Sequence, residues 1–421
     1  IVILVDSNQK NFPLFLVNFT IMITQIINNG KPYQLMFGVG AIQGILIILW
    51  WGYDIFARFT GLPLATASGI VSHWAHIYLM LFSFFPLFIF GFLMTAYPVW
   101  MGSDPIKLKS VLPGIFLLII GIFLTNIGIF FNNKFFLIGA IFFALGWLFS
   151  ILILINIFKN ANKKKTAHSL LTIFFLMIGL IFLYINAYGI SNNNVQIINL
   201  AKVGGVWWFL FPLFISISHR LIPFFTSVVI PQYEIYRPNK LLILMFILIF
   251  LHGLLELKHH ISFLWFVDIN IAIISCWLSW KWFNRQICNK RILFMLHIAY
   301  MWVPISFTLF ALQSILSQYG FYLLSSGPLH CVTIGFFTSM LFAMITRVSL
   351  GHSGRQVHAN PFLWKLFLFI QLATLLRLIG GFNINFHYGQ ILFVVSALIW
   401  LFCFSGWLKE FLNIYYDDLK G

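Results

Sequence analysis

The chain is divided into twelve long apolar stretches, and no other feature constrains its fold as strongly. A helix needs about 20 apolar residues to cross the hydrocarbon layer, where every backbone N–H and C=O must be satisfied within the segment. Stretches of that length fill residues 35–408, among them 71–98, 203–230, 240–255 and 326–346. They are continuous runs and not short alternating strands. The expected fold is therefore all-α, a polytopic membrane bundle of about twelve transmembrane helices. Of the 421 residues, 61% are hydrophobic and 8% charged, so no stretch is polar enough for a separate soluble domain. Residues 1–34 read as a leading segment and 409–421 as a tail. Within the former, 12–28 lack the basic start and small-residue cleavage site of a signal peptide, and read as an interfacial segment or an extra span.

A net charge of +16 raises nucleic acid as a partner, and the positions of the charges decide against it. Under the twelve-span reading, eighteen lysines and arginines fall on one side of the membrane; the other holds only Arg58, Lys134, Lys202 and Lys258. That bias orients the bundle with both termini cytoplasmic. Anionic lipid is the expected partner of the basic loops. No basic stripe with base-stacking aromatics stands apart as a domain. The four cysteines form no CxxC pair and read as packing residues.

Three arginines, Arg220, Arg347 and Arg377, do not fall in loops. A cation within a span costs at least a few kcal/mol unless it meets an anion or a polar cavity. Arg347, near a span end, can snorkel to the surface. Arg220, within the long sixth span, calls for a bound anionic group: a heme propionate, a phosphate or a lipid headgroup. The twelve histidines are the second anomaly. His219, His297 and His330 are embedded in apolar sequence, whereas His168 and His387 sit at span ends as interface residues. His252, His259 and His260 gather around an outer loop. His73 and His76 lie three apart on one helical face, which suits shared ligation or a polar stripe beside a cavity. Neutral imidazole binds heme iron, copper or zinc. With only nine Asp and Glu in the chain, soft metals are favoured over calcium or magnesium. His352 lies in VSLGHSGR, a turn whose backbone amides can hold an anion with Arg355 or simply end a helix. No GxSxG, P-loop or HExxH motif occurs.

Four motifs then resemble one family. GPLHCVTIGFFTSMLFAMITRVSLGHSGR (residues 327–355) is similar to the most characteristic segment of the NnrS family of bacterial membrane proteins, with His330, Arg347, Ser349, Gly351, His352, Gly354 and Arg355 in place. HRLIPFFTS (219–227), LHIAYMW around His297 and GFLMTAYPVWMG (91–102) match further family segments in the right order. The family's second span opens with H-x-H-E-M. Here the run is His76-Ile77-Tyr78-Leu79-Met80, so the second His and the Glu are missing, and His73 stands one turn upstream as a replacement ligand.

The resemblance implies an inner-membrane protein with heme and copper that serves nitric oxide tolerance. It also implies roles for the embedded residues. His76 and His330 are expected as axial ligands of one heme, entering from the same ends of their spans. His219 and His297 are expected nearer the cytoplasmic side as a second site with His352. Arg220 and Arg347 or Arg355 would meet propionates. Two other readings stand beside this one. A heme–copper-type oxidoreductase, or its assembly partner, follows by fold-level analogy. A transporter with a buried His/Arg path would carry no cofactor and would show an internal repeat, and no six-span repeat is visible in the chain.

Overall fold

A computed structural model of the chain describes residues 30–420 apart from 65, 67, 164, 165 and 383–385; the segment 12–28 lies outside the described residues, as does the side chain of His387. Twelve helices long and apolar enough to cross a membrane follow one another. They are α1 (Pro32–Thr60), α2 (Ser72–Met101), α3 (Leu108–Phe130), α4 (Asn133–Lys159), α5 (Ala167–Ser191) and α6 (Val195–Val229), then α7 (Asn239–Leu257), α8 (Ile261–Trp282), α9 (Arg291–Ser317), α10 (Gly327–His352), α11 (Pro361–Ile379) and α12 (Phe386–Lys420). No strand occurs among the described residues. The protein is a multi-pass membrane helix bundle, and residues 409–420 continue its last helix.

Several boundaries differ from the sequence expectation, among them the ends of α1 at Thr60, α10 at His352 and α12 at Lys420, and the start of α6 matters most. α6 starts at Val195, not near residue 203, because the Asn194 side chain accepts a hydrogen bond from the Ile197 amide and caps the helix. Lys202 is therefore a helix residue and not a loop residue. α7 ends at Leu257, close to the expected 240–255, and His252 is buried within it, apart from His259 and His260 in the connection. At the start of α6 polar residues lowered the local hydropathy while the backbone stayed helical.

The twelve helices pack as three sets of four. α4 meets α5, α8 meets α9 and α12 returns to α1, which closes the set into a ring. The second helix of each set lies inside: 78–89% of the most apolar stretch of α2, α6 and α10 is buried, against 28–67% for the other nine helices. Phe85, Phe214 and Phe337, one from each inner helix, meet with ring centroids 4.8–6.0 Å apart. At the periphery, α3 and α4 touch through glycine. A Cβ on Gly128 would stand 2.2 Å from the Phe136 nitrogen, so the two backbones could not lie so close with any larger residue.

The inner helices share a local irregularity. Each carries a π-helical segment, Leu79–Phe84 in α2, Gly204–Leu210 in α6 and Cys331–Thr338 in α10. Such segments are rare and concentrate at functional sites. Their causes can be read from the residues. Pro86 and Pro212 follow the first two, and a proline cannot accept a tight i−4 contact. In α10 the Thr338 and Ser339 hydroxyls donate to the carbonyls of Thr333 and Ile334, five residues back. Directly after each π segment the sequence repeats: Phe-Pro-Leu-Phe-Ile at 85–89 and 211–215, Ser-Met-Leu-Phe-Ala at 339–343. The repeat unit is four spans. Nine residues before each of these starts stand His76, Lys202 and His330.

Candidate functional site

Those three equivalent side chains line one cavity of about 410 Å³. It lies at the end of the bundle where α2, α6 and α10 begin, and α1, α11 and α12 complete its wall. Near the start of α2, His76 stacks on the indole of Trp51 from α1, with centroids 4.2 Å apart and rings inclined by 11°. Its Nδ1 is buried without a hydrogen-bond partner. His73 reaches the same cavity from one turn earlier, and its ring stands 6.4 Å from Trp51. Across the cavity, His330 is held by its own helix start. Its Nδ1 lies 2.8 Å from the Ser326 carbonyl, so that nitrogen carries the proton and Nε2 keeps a free lone pair. The structure thus brings together His73, His76 and His330, and leaves imidazole nitrogens available to a ligand.

The electrostatics of the cavity are cationic. Arg377, from α11, donates from Nη2 to the Ser326 hydroxyl at 3.0 Å, and its guanidinium carbon lies 3.8 Å from the Phe393 ring centre. Its Nη1 is buried with no partner. Arg58 is matched by Asp54 at 2.7 Å and Lys202 by Glu256 at 3.0 Å. Among the described residues Arg377 has no carboxylate partner, and it is the one cavity cation free to meet an anion. The rest of the wall is mostly apolar, with Met80, Leu81, Phe85, Val206, Ile334 and Trp400, and carries Thr333, Thr338, Gln390 and Ser396 as neutral polar groups. A site with a few polar groups converging in an apolar shell is the usual form of a small-molecule or cofactor pocket.

At the opposite end of the bundle the other expected site residues have protein partners of their own. His219 pairs with His168 from α5, Nδ1 to Nε2 at 3.3 Å, in stacked rings. His297 lies 3.3 Å from the Thr226 hydroxyl. His352 packs against Tyr33, and its carbonyl accepts from Lys31. The Arg220 guanidinium lies over Trp100 at 4.4 Å and donates to Thr166, while Arg347 sits over Phe225 at 3.7 Å. Arg355 stands exposed in the turn after α10. Among the described residues, no three His, Cys, Asp or Glu side chains converge as a set of metal ligands.

Sequence reasoning missed three members of the cavity. Lys202 was assigned to an outer loop, where its signal was masked by the misplaced helix start. Arg377 stood out as an embedded cation but carried no role. Trp51 gave no signal among fifteen tryptophans; the repeated Phe-Pro-Leu-Phe-Ile run would have found Lys202 from its offset to His76.

No curated protein matches the chain. A family model described as NnrS protein matches residues 30–418, which covers all twelve helices and every residue of the cavity. The chain belongs to the NnrS family of membrane proteins.

Proposed function

We propose that the cavity is a heme site and that the protein serves nitric oxide tolerance in the cytoplasmic membrane. One observation carries the reading: His76 and His330, from two inner helices, line a single, largely apolar cavity that also holds, among the described residues, an arginine without an anionic partner. The donor set fits the group. His76 and His330 would hold the heme iron through their imidazoles, and the free guanidinium edge of Arg377 would meet a propionate. When bound, heme supplies an iron centre that can change oxidation state and ligand.

The chain's own residues do the rest. The Ser326 carbonyl fixes the tautomer and orientation of His330, so its Nε2 points away from its own backbone. Trp51 holds the His76 ring plane by stacking. Ser326 also orients Arg377, which couples the cation to the start of the helix that carries His330. Met80, Leu81, Phe85 and Trp400 keep the interior apolar, which limits water at the site and leaves room for a small uncharged gas. His73 stands at the more exposed edge of the cavity as a reserve imidazole. The bias of basic loops supports cytoplasmic termini, with the cavity toward the outer end of the bundle. For copper, the second metal implied by the family resemblance, no set of three His, Cys, Asp or Glu ligands converges among the described residues. No step is assigned to it.

The test is purification in detergent, an absorption spectrum and an iron assay. A Soret band with about one iron per chain is expected, and cells lacking the protein should regain growth under a nitric oxide donor when it is restored. A colourless, iron-free protein sinks the reading.

A further inference from the structure

Beside the cavity, α6, α7 and α8 bury a second group of ionisable side chains with no part in holding a heme. His252 and Asp268 are both 0% exposed, and His252 Nδ1 lies 2.5 Å from Asp268 Oδ1. His252 Nε2 faces Glu256 Oε2 at 3.9 Å, and neither Nε2 nor Asp268 Oδ2 has a hydrogen-bond partner. Glu256 continues the chain: Oε2 accepts from the Trp207 indole at 2.6 Å and Oε1 meets Lys202 Nζ at 3.0 Å. Lys202 lines the cavity at the position equivalent to His76 and His330. The row Asp268–His252–Glu256–Lys202 therefore runs from the interior of the α7–α8 pair to the cavity wall, with one gap, the 3.9 Å between His252 Nε2 and Glu256 Oε2.

We infer that Asp268, His252 and Glu256 form a proton-exchange site and that Lys202 joins it to the cavity. The charges favour it. With His252 neutral, Lys202, Glu256 and Asp268 sum to one negative charge, and one added proton brings the group to zero, the state that burial in hydrocarbon favours. The geometry also sets the route. Glu256 and Lys202 are about a quarter exposed, with 25% and 26% of their side chains open, so the outside reaches them first. Once the Glu256 carboxyl swings across the 3.9 Å to His252 Nε2, its O–H bond breaks as an N–H bond forms there. The Nδ1–H bond then breaks and an O–H bond forms on Asp268. No electron moves and no co-reactant is needed. The charged and titratable groups around His252 are Lys202 from α6, Glu256 from its own helix and Asp268 from α8. α9 contributes Phe307 and Phe310, and Trp207 closes the α6 side. Lys258, His259 and His260 lie in the connection beyond. Apolar packing on these sides leaves Glu256 as the exit to solvent.

The site itself stands on these side chains alone; its service to the cavity rests on the heme reading. Two measurements separate them. Infrared difference spectra of the full chain in lipid nanodiscs, acid minus alkaline buffer, should show a carboxylic acid band that Asp268→Asn removes and Glu256→Gln shifts. Asp268→Asn keeps an oxygen for His252, and Glu256→Gln tests the row at a less buried position if the first variant fails to fold. Spectra without a titrating carboxyl, or identical in wild type and both variants, overturn the site whether or not heme is bound. In heme-loaded protein the reduction equilibrium should change tenfold per pH unit, about 59 mV for one electron, and Asp268→Asn should flatten that slope. Equal slopes overturn the coupling and leave the heme reading intact.

Discussion

The two ends of the bundle both place polar side chains among apolar helices and use them differently. At the end where α2, α6 and α10 begin, imidazoles and Arg377 surround a cavity and keep unpaired atoms. At the other end the same residue types mostly meet one another and aromatic rings: His219 Nδ1 meets His168 while its Nε2 stays buried and unpaired, His297 meets Thr226, Arg220 Trp100 and Arg347 Phe225. Embedding in apolar sequence does not separate these cases, since Arg220 and Arg377 are both cations within spans. What separates them is whether the helix packing supplies a partner. A buried polar group that folding satisfies belongs to the scaffold, and one that folding leaves unsatisfied around a cavity belongs to a site.

The contrast can be broken most directly at the histidines. His76→Ala and His330→Ala should each lose most of the bound heme, read as the Soret band and iron per chain, while His219→Ala and His297→Ala should keep it. Loss of heme in all four alike would erase the distinction between the ends. Arg377→Leu should weaken heme retention by about 10–100-fold, the usual cost of losing a supporting partner, measured as the rate of heme transfer to an acceptor protein. Arg347→Leu should leave that rate unchanged. On the scaffold side, His219→Ala should lower stability by about 1–3 kcal/mol because it strands the buried His168 nitrogen, seen in thermal unfolding in detergent with iron content intact. The smallest effect is expected at Trp51. Trp51→Ala removes the stack on His76 and should cost about 0.5–1.5 kcal/mol of heme binding, whereas Trp51→Phe should recover most of it.

Much of the fold was legible in the chain because lipid leaves the backbone few options. Span number followed from segment length, and most boundaries lie within a few residues of those expected. The errors fell where polar residues lower the hydropathy of a stretch that stays helical, as at Asn194 before Lys202 and at the end of α1, which runs past Arg58 to Thr60. The site was legible only in part. His76 and His330 stand out as buried histidines at helix starts, but nothing local says that α2 and α10 are neighbours. That proximity comes from ring closure and the central contact of Phe85, Phe214 and Phe337. The four-span repeat was hidden for a different reason. Its third copy keeps only Leu341 and Phe342 of the Phe-Pro-Leu-Phe-Ile run, so a search for six-span halves could not meet it. The partners of Arg220 and Arg347 are aromatic rings from other helices, which residue type alone does not announce among 51 phenylalanines and fifteen tryptophans.

The central claim is that His76 and His330 jointly ligate one heme in the cavity, and the spin state of the ferric protein tests it most directly. Electron paramagnetic resonance of the wild type should show a low-spin, bis-imidazole heme. His330→Gly should convert it to a high-spin species, and added free imidazole, entering the space left by the side chain, should restore the low-spin signal. A high-spin wild type, or a His330→Gly spectrum identical to wild type without imidazole, would contradict the assignment.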